Sequence, residues 1–479
     1  PLPDVPDQDG LGFTRTNLVL SFLADYTFAQ GILDGATVSN VTGYNEVRSN
    51  WIRDFDLTPA GAGVSRDPVR FETFSTELRL ASSDDQRLRW LLGVNYFDAE
   101  FVRQGNGGIV FFNAEANPDY TVGGAPIPFP LPLLQAAFSE EGGETIGVFG
   151  SLGFDVSEQL TLDFEWRWQD DEVSNSNPET GVSLDQSFDN FLPRVTVSYQ
   201  PSDESTLWFT YAKGNVPGFF NPDFATLTQE QQDAVVAETG SAPLFLDEEE
   251  LDSFELGWKQ SFWEDRVNFS LVGYYMEWTD RKTQVPVIVP DPVLGQRSLN
   301  IRINSGDTDL WGAEFEGQAI LTPKLRLVGT FNWAASELKN FFCVFSAQFS
   351  GTTDCSGNES PRFPEFTGSF AFDWNDRLVD DWDYFARFDG NFFGEAPTDE
   401  SNLAVSESYW RFNLRSGVQR ENFRLELFVT NLFDHDKFEA ASRFSDFSGL
   451  ELFSFTSNQG VIVTPADERR LGFRVSYDF

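Results

Sequence analysis

The stretch that decides the fold is residues 159–168, which read QLTLDFEWRW. From the second residue onward, apolar side chains alternate with polar or charged ones. Successive side chains of a β-strand point to opposite faces, so this alternation predicts a strand with one apolar and one polar face. The apolar face comprises Leu160, Leu162, Phe164, Trp166 and Trp168, and the polar face comprises Thr161, Asp163, Glu165 and Arg167.

The same period of two recurs from one end of the chain to the other. The last ten residues, 470–479, alternate in this way, and so do residues 88–96, 267–275 and 423–429. We count about seventeen such strands, of which the first and the last run toward the same side of the sheet. The pattern predicts one large antiparallel sheet rather than several small domains.

Short and long connections alternate between these strands. The short ones lie at 31–36, 83–87, 155–159, 200–205, 262–266, 321–324, 376–382 and 419–422. The long ones cover 54–70, 104–142, 173–188, 217–250, 285–300, 340–365, 396–406 and 440–466. This asymmetry is typical of a membrane barrel with short periplasmic turns and long extracellular loops.

The composition favours strands over helices. The chain has 50 Phe, 13 Trp and 11 Tyr but only one Met and one His, and aromatic residues are enriched in strands. No run of 18 apolar residues occurs, which excludes a transmembrane helix, whereas a barrel strand crosses a membrane with about 9 to 11 residues. The predicted fold class is all-β, a transmembrane antiparallel β-barrel. A soluble sandwich or propeller is the alternative, although no repeat of about 40 to 50 residues is present.

The charge balance is strongly acidic. Asp and Glu number 75 against 33 Lys and Arg, giving a formal net charge of -42. Nucleic acids and anionic lipids are bound by basic surfaces, so neither is an expected partner on this ground. The acidity fits solvated loops, and it also allows a cationic or metal-bearing ligand.

Three groups of residues are candidates for chemistry or cross-linking. Cys343 and Cys355, in a polar stretch rich in turn formers, fit a loop disulfide in an oxidising compartment, the alternative being two unpaired thiols. An acidic run provides possible calcium ligands, although it lacks the spacing of an EF-hand and also fits a solvated charge run. Its candidate ligands are Asp247, Glu248, Glu250 and Asp252.

His435 lies between Asp434 and Asp436, but one histidine cannot form a multi-histidine metal site. In a strand the two carboxylates would share one face and the imidazole would point to the other. We therefore expect a surface or loop role for His435 rather than a charge relay or a metal site. No phosphate-binding glycine loop, CxxC pair or nucleophile elbow is present. The sequence therefore predicts no catalytic residue, no cofactor and no enzyme.

One helix is predicted within the long connections. Residues 227–238 read LTQEQQDAVVAE, with Thr228 as the N-cap and Glu230 or Gln231 near the capping-box position. We expect this helix to lie over the mouth of the barrel. Trp208 and Tyr211, in the hairpin that precedes it, are predicted to be aromatic residues at the membrane interface.

Several phrases in collinear order resemble those of TonB-dependent outer-membrane receptors. They include FSTELRLAS at 74–82, FLPRVTVSYQPSDESTLWFTYAKGNVPGFFNP at 191–222, FELGWKQSFWEDRVNFSLVGYYMEWTDRKTQ at 254–284, WGAEFEG at 311–317, LELFVTNLFDHDKF at 425–438 and RRLGFRVSYDF at 469–479. Each phrase is weak alone, but together they cover nearly the whole chain. Tyr477 and Phe479 also resemble the terminal signal for barrel assembly, and the alternative is that they are ordinary lipid-facing aromatic residues.

The resemblance implies a location and a function. Such receptors lie in the bacterial outer membrane and take up a metal chelate such as a ferric siderophore, a vitamin or a saccharide by energy-coupled transport. Their implied partners are outer-membrane lipid, the ligand, the barrel assembly machinery and an inner-membrane energy-coupling complex reached through a plug. Residues 1–479 are expected to form the barrel domain alone, about 17 strands of a 22-stranded barrel, without the plug and first strands. A passive channel and an outer-membrane hydrolase are the alternative functions.

Overall fold

The computed structural model describes residues 12–54, 64–105, 121–122, 125–126, 137–178, 180–240, 244–291, 295–343, 351–445 and 459–478. Its main element is a 17-stranded sheet in which all pairings are antiparallel. We number these strands in chain order: β1 Gly12–Thr27, β2 Thr37–Asp54, β3 Val64–Ala81, β4 Leu88–Gly105, β5 Ala137–Asp155, β6 Leu160–Asn177, β7 Val182–Ser202, β8 Ser205–Val216, β9 Glu249–Phe262, β10 Val267–Asp291, β11 Gly295–Thr322, β12 Leu325–Lys339, β13 Phe366–Val379, β14 Trp382–Phe393, β15 Tyr409–Arg420, β16 Phe423–Thr430 and β17 Arg470–Tyr477.

Each strand pairs with its neighbours in the chain, so the sheet is an up-and-down meander. Among the described residues, β1 pairs only with β2, and β17 pairs only with β16. The strand count and the common direction of β1 and β17 confirm the prediction. We call the end of the sheet that carries the long connections its outer end.

Two of the predicted long loops are instead extensions of strands. The predicted loop at 173–188 is a hairpin in which β6 and β7 pair as far as Asn177 and Val182. The predicted loop at 285–300 belongs to β10 and β11, which pair from Val285 to the tip of their hairpin. Beyond the membrane both faces of a sheet can be wet or covered by other segments, so the apolar alternation that marks a barrel strand is no longer required. The strands therefore extend beyond the segments in which apolar and polar residues alternate.

The outward face of the sheet is apolar and solvent-exposed in the isolated chain. On β6 the exposed fractions of Leu162, Phe164 and Trp168 are 41%, 38% and 40%, as expected of side chains that face lipid. No helix in the described ranges has both the length and the apolar character needed to cross a bilayer. Tyr211 lies on the outward face, with its ring 5.2 Å from that of Phe254.

Trp208 faces the lumen, so the prediction of an interfacial role was wrong for this residue. Its indole Nε1 donates to Glu255 at 2.5 Å, and the Lys259 ammonium lies 5.3 Å from its ring centre. The reason is the strand period, because Trp208 alternates with the outward-facing Leu207 and Phe209. Whether an aromatic residue of a barrel strand faces the lipid or the lumen is thus set by its position in the alternation.

The predicted helix is present as α1, Gln229–Thr239, preceded by a short 3-10 helix at Pro222–Thr226. The Thr228 hydroxyl accepts from the Gln231 N–H, and the Gln231 side chain accepts from the Thr228 N–H, which completes the capping box. Gly240 ends the helix in the left-handed region at φ 74°, a conformation that glycine adopts without the steric cost of a Cβ.

Candidate functional site

A folded cap covers part of the outer end of the sheet. The extended β10–β11 hairpin provides one wall, and α1 and the residues before it pack against that wall. Their buried core consists of Leu227, Val235, Val285, Val287, Val289, Ile301 and Ile303. The Gln231 amide also donates to the carbonyl of Pro290, 2.7 Å away. Because this core lies beyond the barrel wall, the cap is a folded unit rather than a set of independent loops.

The β12–β13 connection forms a second, smaller core beside the cap. Leu338 and Phe341 are buried in it together with the two cysteines. Cys343 and Cys355 are joined by a disulfide, with Cα atoms 6.1 Å apart. The backbone N–H of Cys343 donates to Thr353 at 2.9 Å, so backbone pairing and the disulfide hold the same loop.

A cavity of about 280 Å³ opens between the cap and the neighbouring connections. Its lining is mainly polar and includes Thr283, Gln284, Arg362, Thr398, Glu400 and Ser401. The Thr398 side chain is buried, and its hydroxyl has no hydrogen-bond partner within the part of the chain that the structure describes. A buried hydroxyl favours a partner, so this cavity is suited to a small polar solute or to one polar arm of a larger ligand.

Arg281 is a largely buried cation close to this cavity. Its guanidinium donates to the hydroxyls of Thr308 at 3.3 Å and Ser360 at 3.2 Å. It also stacks over the rings of Trp278 and Phe341, at 4.9 and 5.5 Å. Burial lowers the pKa of Arg281, and the field of Glu400 partly opposes that effect. The cation therefore lies in a partly desolvated site beyond the membrane.

Lys282, the next residue, points into a buried cluster at the base of the cap. Its ammonium donates to the carbonyl of Pro217 at 2.6 Å and lies 3.7 Å from the Glu249 carboxylate. That carboxylate also accepts from the indole of Trp278 at 2.7 Å and from the backbone N–H of Lys282 at 3.1 Å. Burial lowers the pKa of Lys282, and Glu249 raises it. Glu249 thus joins β9 to the β-bulge at which β10 leaves the barrel.

The four acidic residues considered as calcium ligands have separate partners. The Glu248 carboxylate accepts from the Asn190 amide at 2.6 and 2.9 Å. Glu250 pairs with Lys213 at 2.9 Å, Asp252 accepts from the Tyr211 hydroxyl at 2.7 Å, and the backbone of Asp247 bonds to Asn304. Across the described ranges, no group of three or more His, Cys, Asp or Glu residues has the arrangement of a metal site. The structure thus gives each of these four residues its own partner, and the calcium site stays a prediction.

His435 lies in a turn, which agrees with the predicted surface or loop role; the strand geometry considered beside it does not apply. The Asn431 side chain accepts from the His435 N–H and donates to its carbonyl, both at 2.8 Å. Asp434 has φ 55°, which ends the strand pattern before the imidazole. The imidazole stacks on the Tyr409 ring at 4.9 Å, and its Nε2 is buried without a hydrogen-bond partner among the described groups.

We expect this turn to loosen in acid. Burial lowers the pKa of His435 below 6.5, Asp436 raises it, and Lys437 and Arg411 lower it further. Below the lowered pKa the partly buried ring must carry a charge, so the stability of the turn rises with pH between that pKa and 6.5. Protease cleavage of the 431–469 connection should therefore speed up below about pH 6.5. His435→Phe keeps the ring stacking and should abolish this pH dependence; an unchanged dependence would contradict the assignment.

The proposed assembly residues lie at the edge of the sheet. Tyr477 ends β17 and is exposed, whereas Phe479 lies outside the described residues. Sequence reasoning did not identify Arg281, Lys282 or Thr398, and it considered Glu249 only as part of the acidic run. Arg281 and Lys282 could have been noticed as two adjacent cations in a strongly acidic chain. Their partners could not, because these are distant in sequence.

Comparisons with known proteins agree with this architecture. Residues 2–432 match the family described as TonB dependent receptor-like, beta-barrel. The ferric yersiniabactin uptake receptor FyuA from Yersinia pestis has a TM-score of 0.70 at 15% identity, and the match covers 98% of this chain and 62% of that one. The siderophore receptor PiuA from Acinetobacter baumannii has a TM-score of 0.69 at 16% identity, with 97% and 64% covered.

A third solved structure, the ferric citrate transporter FecA in its unliganded form, has a TM-score of 0.67 at 15% identity, with 98% and 62% covered. At such low identities the similarity concerns the fold. The chain spans less than two thirds of the length of each of these three proteins. The predicted transmembrane barrel is confirmed.

Proposed function

Because this chain belongs to the TonB-dependent receptor-like β-barrel family, we propose that it is the barrel of a receptor that takes up a scarce extracellular nutrient. The family and its structural neighbours are outer-membrane receptors and transporters rather than enzymes. The predicted location in the bacterial outer membrane is therefore confirmed, as is the prediction that the chain is not an enzyme.

The observation that carries the proposal is the folded cap with its polar cavity at the outer end. A passive channel needs an open mouth, whereas a receptor for a dilute solute needs a fixed binding surface. The cap has a buried core, and Thr398 and Arg362 line the cavity beside it. The proposed solute is a metal chelate such as a ferric siderophore, with a vitamin or a saccharide as the other candidates.

Transport is proposed to be energised through a plug that contacts the inner-membrane coupling complex. β1 and β17 each leave one edge unpaired among the described strands, and open edges in hydrocarbon are costly because their backbone groups lack partners. We therefore propose that further strands complete the barrel. The lumen-facing polar residues of β6 and its neighbours would then face the plug.

Energised uptake can be separated from passive diffusion by one experiment. Cells with and without the receptor are grown with limiting iron, and the entry of radiolabelled ferric chelates is measured with and without a protonophore. A receptor should give saturable entry that disappears with the protonophore. Entry that is linear in concentration and unaffected by the protonophore would indicate a passive channel. No receptor-dependent entry of any ferric chelate would move the search to vitamins and saccharides.

Deletion of Phe479 should impair assembly of the barrel. If the terminal aromatic residue is read by the assembly machinery, the amount of protein in the outer membrane should fall several-fold while protein that does assemble keeps its thermal stability. Immunoblots of outer-membrane fractions and heat-modifiable gel mobility measure the two quantities. Phe473→Ala, another aromatic truncation of the same strand, is the control. Equal losses in both variants would favour ordinary lipid contact over a signal.

A further inference from the structure

The cavity beside Thr398 is lined by polar side chains that have no hydrogen-bond or ion-pair partner within the described part of the chain. They come from three segments: Gln284 from β10, Arg362 from the β12–β13 connection, and Thr398 and Glu400 from the β14–β15 connection. Thr398 is the most buried of them, with 5% of its surface exposed, and its hydroxyl is unsatisfied. Because buried polar groups normally have a hydrogen-bond partner, these side chains are available to a ligand.

The backbone fixes this lining without a ligand. The Arg362 N–H donates to the Pro397 carbonyl at 2.7 Å, next to Thr398. The Asn358 side-chain amide donates to the backbone carbonyl of Glu400 at 2.8 Å. The two connections are thus joined directly at the cavity. A site whose groups are held in place in advance loses less conformational entropy on binding, which suits the recognition of a small ligand.

The polar groups of the lining favour an uncharged ligand. Glu400 can only accept hydrogen bonds, Arg362 can only donate them, and Gln284 and Thr398 can do both. Both charges lie close to Arg281: burial lowers the pKa of Arg281, Glu400 raises it and Arg362 lowers it. Glu400 repels an anionic chelate, and the two guanidinium groups repel a cationic solute. A ligand hydroxyl both donates and accepts, so it can bond to every one of these side chains.

The size of the cavity and the rest of its lining fit one sugar ring. Its volume of about 280 Å³ lies at the lower limit of small-molecule pockets, which is about 300 Å³. Phe342, which is half-buried, forms an apolar part of the wall. Thr283, Ser401 and Ser442 add hydroxyl groups around the same space. A sugar ring has an apolar C–H face and a rim of hydroxyl groups, so it matches both parts of the lining.

We infer that this cavity binds a sugar ring, either as a free monosaccharide or as the terminal unit of a larger saccharide. The inference rests on the proposed uptake function and selects the saccharide among its three candidate solutes. Glu400 and Arg362 bond to ring hydroxyls, Thr398 gains the partner that it lacks, and Phe342 packs against the C–H face. The formal net charge of -42 further disfavours an anionic chelate.

The test measures sugar binding to the receptor purified in a detergent without a sugar head group, by saturation-transfer difference NMR. The probes are D-glucose, D-galactose, D-mannose, D-xylose and L-arabinose, with gallium citrate as a diamagnetic anionic chelate and L-serine as a zwitterion. At least one sugar should bind saturably, and gallium citrate and L-serine should not. If no sugar binds saturably, the inference is overturned. The energised uptake of ferric chelates described above would still support the proposed function in that case, because this binding assay does not depend on transport.

Thr398→Val separates ligand binding from stability. Valine has the shape of threonine without its hydroxyl, so the affinity for the sugar should fall roughly three- to tenfold. The melting temperature should not fall, because the lost hydroxyl is unsatisfied among the described groups. Thr239→Val is the matched control: Thr239 is buried outside the cavity and its hydroxyl donates to the Val235 carbonyl at 2.8 Å, so this variant should lose stability and keep its affinity. Equal affinities of Thr398→Val and the wild type overturn the inference.

Glu400→Gln tests the selection by charge and replaces Thr398→Val if that variant does not fold. An amide oxygen accepts hydrogen bonds less strongly than a carboxylate, so the affinity for the sugar should fall severalfold at nearly unchanged side-chain size. Heat-modifiable gel mobility shows whether the variant is folded. A folded Glu400→Gln variant with the sugar affinity of the wild type would contradict the role given to Glu400.

Discussion

Val235→Asp should unfold the cap while leaving the barrel intact. The Val235 side chain is fully buried, with 0% of its surface exposed, in the core that α1 shares with the β10–β11 hairpin. An aspartate there loses the apolar contact and places an unpaired carboxylate in an apolar site, at a cost of about 4 kcal/mol or more. Amide hydrogen exchange in α1 should then accelerate by roughly a thousandfold.

Val236→Asp is the matched control for this prediction. Val236 is adjacent in the same helix, but 44% of its surface is exposed, so the aspartate remains solvated. We expect hydrogen exchange in α1 to change little in this variant. In both variants the heat-modifiable mobility of the barrel should be that of the wild type, because the sheet does not depend on the cap core. Equal exchange rates in the two variants would contradict the described packing of α1.

Glu249→Leu should destabilise the base of the cap by about 3 kcal/mol or more, because removing one partner of a buried ion pair leaves the other charge uncompensated. The Lys282 ammonium would keep only its carbonyl acceptors, and the Trp278 indole would lose its 2.7 Å acceptor. The free energy of unfolding of the cap is measured from the fraction of the cap that a protease cleaves at increasing denaturant concentration. Ligand affinity should fall with it, since the cap fixes the proposed cavity.

The double variant Glu249→Leu with Lys282→Met distinguishes a charge effect from a packing effect. Replacing both members of a buried pair with apolar residues is often close to neutral, so most of the lost stability should return. A double variant as unstable as the single one would assign the loss to packing instead.

The single variant should also regain stability at alkaline pH. Burial already lowers the pKa of Lys282, and loss of Glu249, which raises it, lowers it further. In the window between this lowered pKa and the ordinary value for lysine, the unfolded state binds more protons, so stability rises with pH. A Glu249→Leu variant whose stability is flat across that window would show that Lys282 is not the unpaired charge.

The helix α1 shows how far sequence reasoning reached into the cap. The N-cap Thr228 is a local signal that the sequence predicts correctly, whereas the sequence leaves its capping-box partner open between Glu230 and Gln231, and the structure shows that it is Gln231. Which of Val235 and Val236 is buried was not predictable, because that depends on the orientation of the helix against the hairpin. The extension of β10 and β11 was also missed, since outside the membrane a strand is stabilised by what covers it rather than by lipid.

The site residues follow the same division. Arg281 and Lys282 stand out in the sequence as adjacent cations of an acidic chain, but the Lys282 N–H and its acceptor Glu249 are separated by 33 residues. The register between β9 and β10 brings them together. Cys343 and Cys355 are close in sequence, so their pairing could be proposed without a structure.

The sequence by itself determined the barrel. In a strand that faces lipid on one side and a polar lumen on the other, apolar and polar side chains must alternate. This local requirement can be recognised in single strand segments such as 159–168. Only the tertiary structure decided the cap, the cavity beside Thr398, and the ion pair of Glu249 and Lys282. Each of these depends on strand register or on packing between distant segments, which the periodicity of a single strand does not specify.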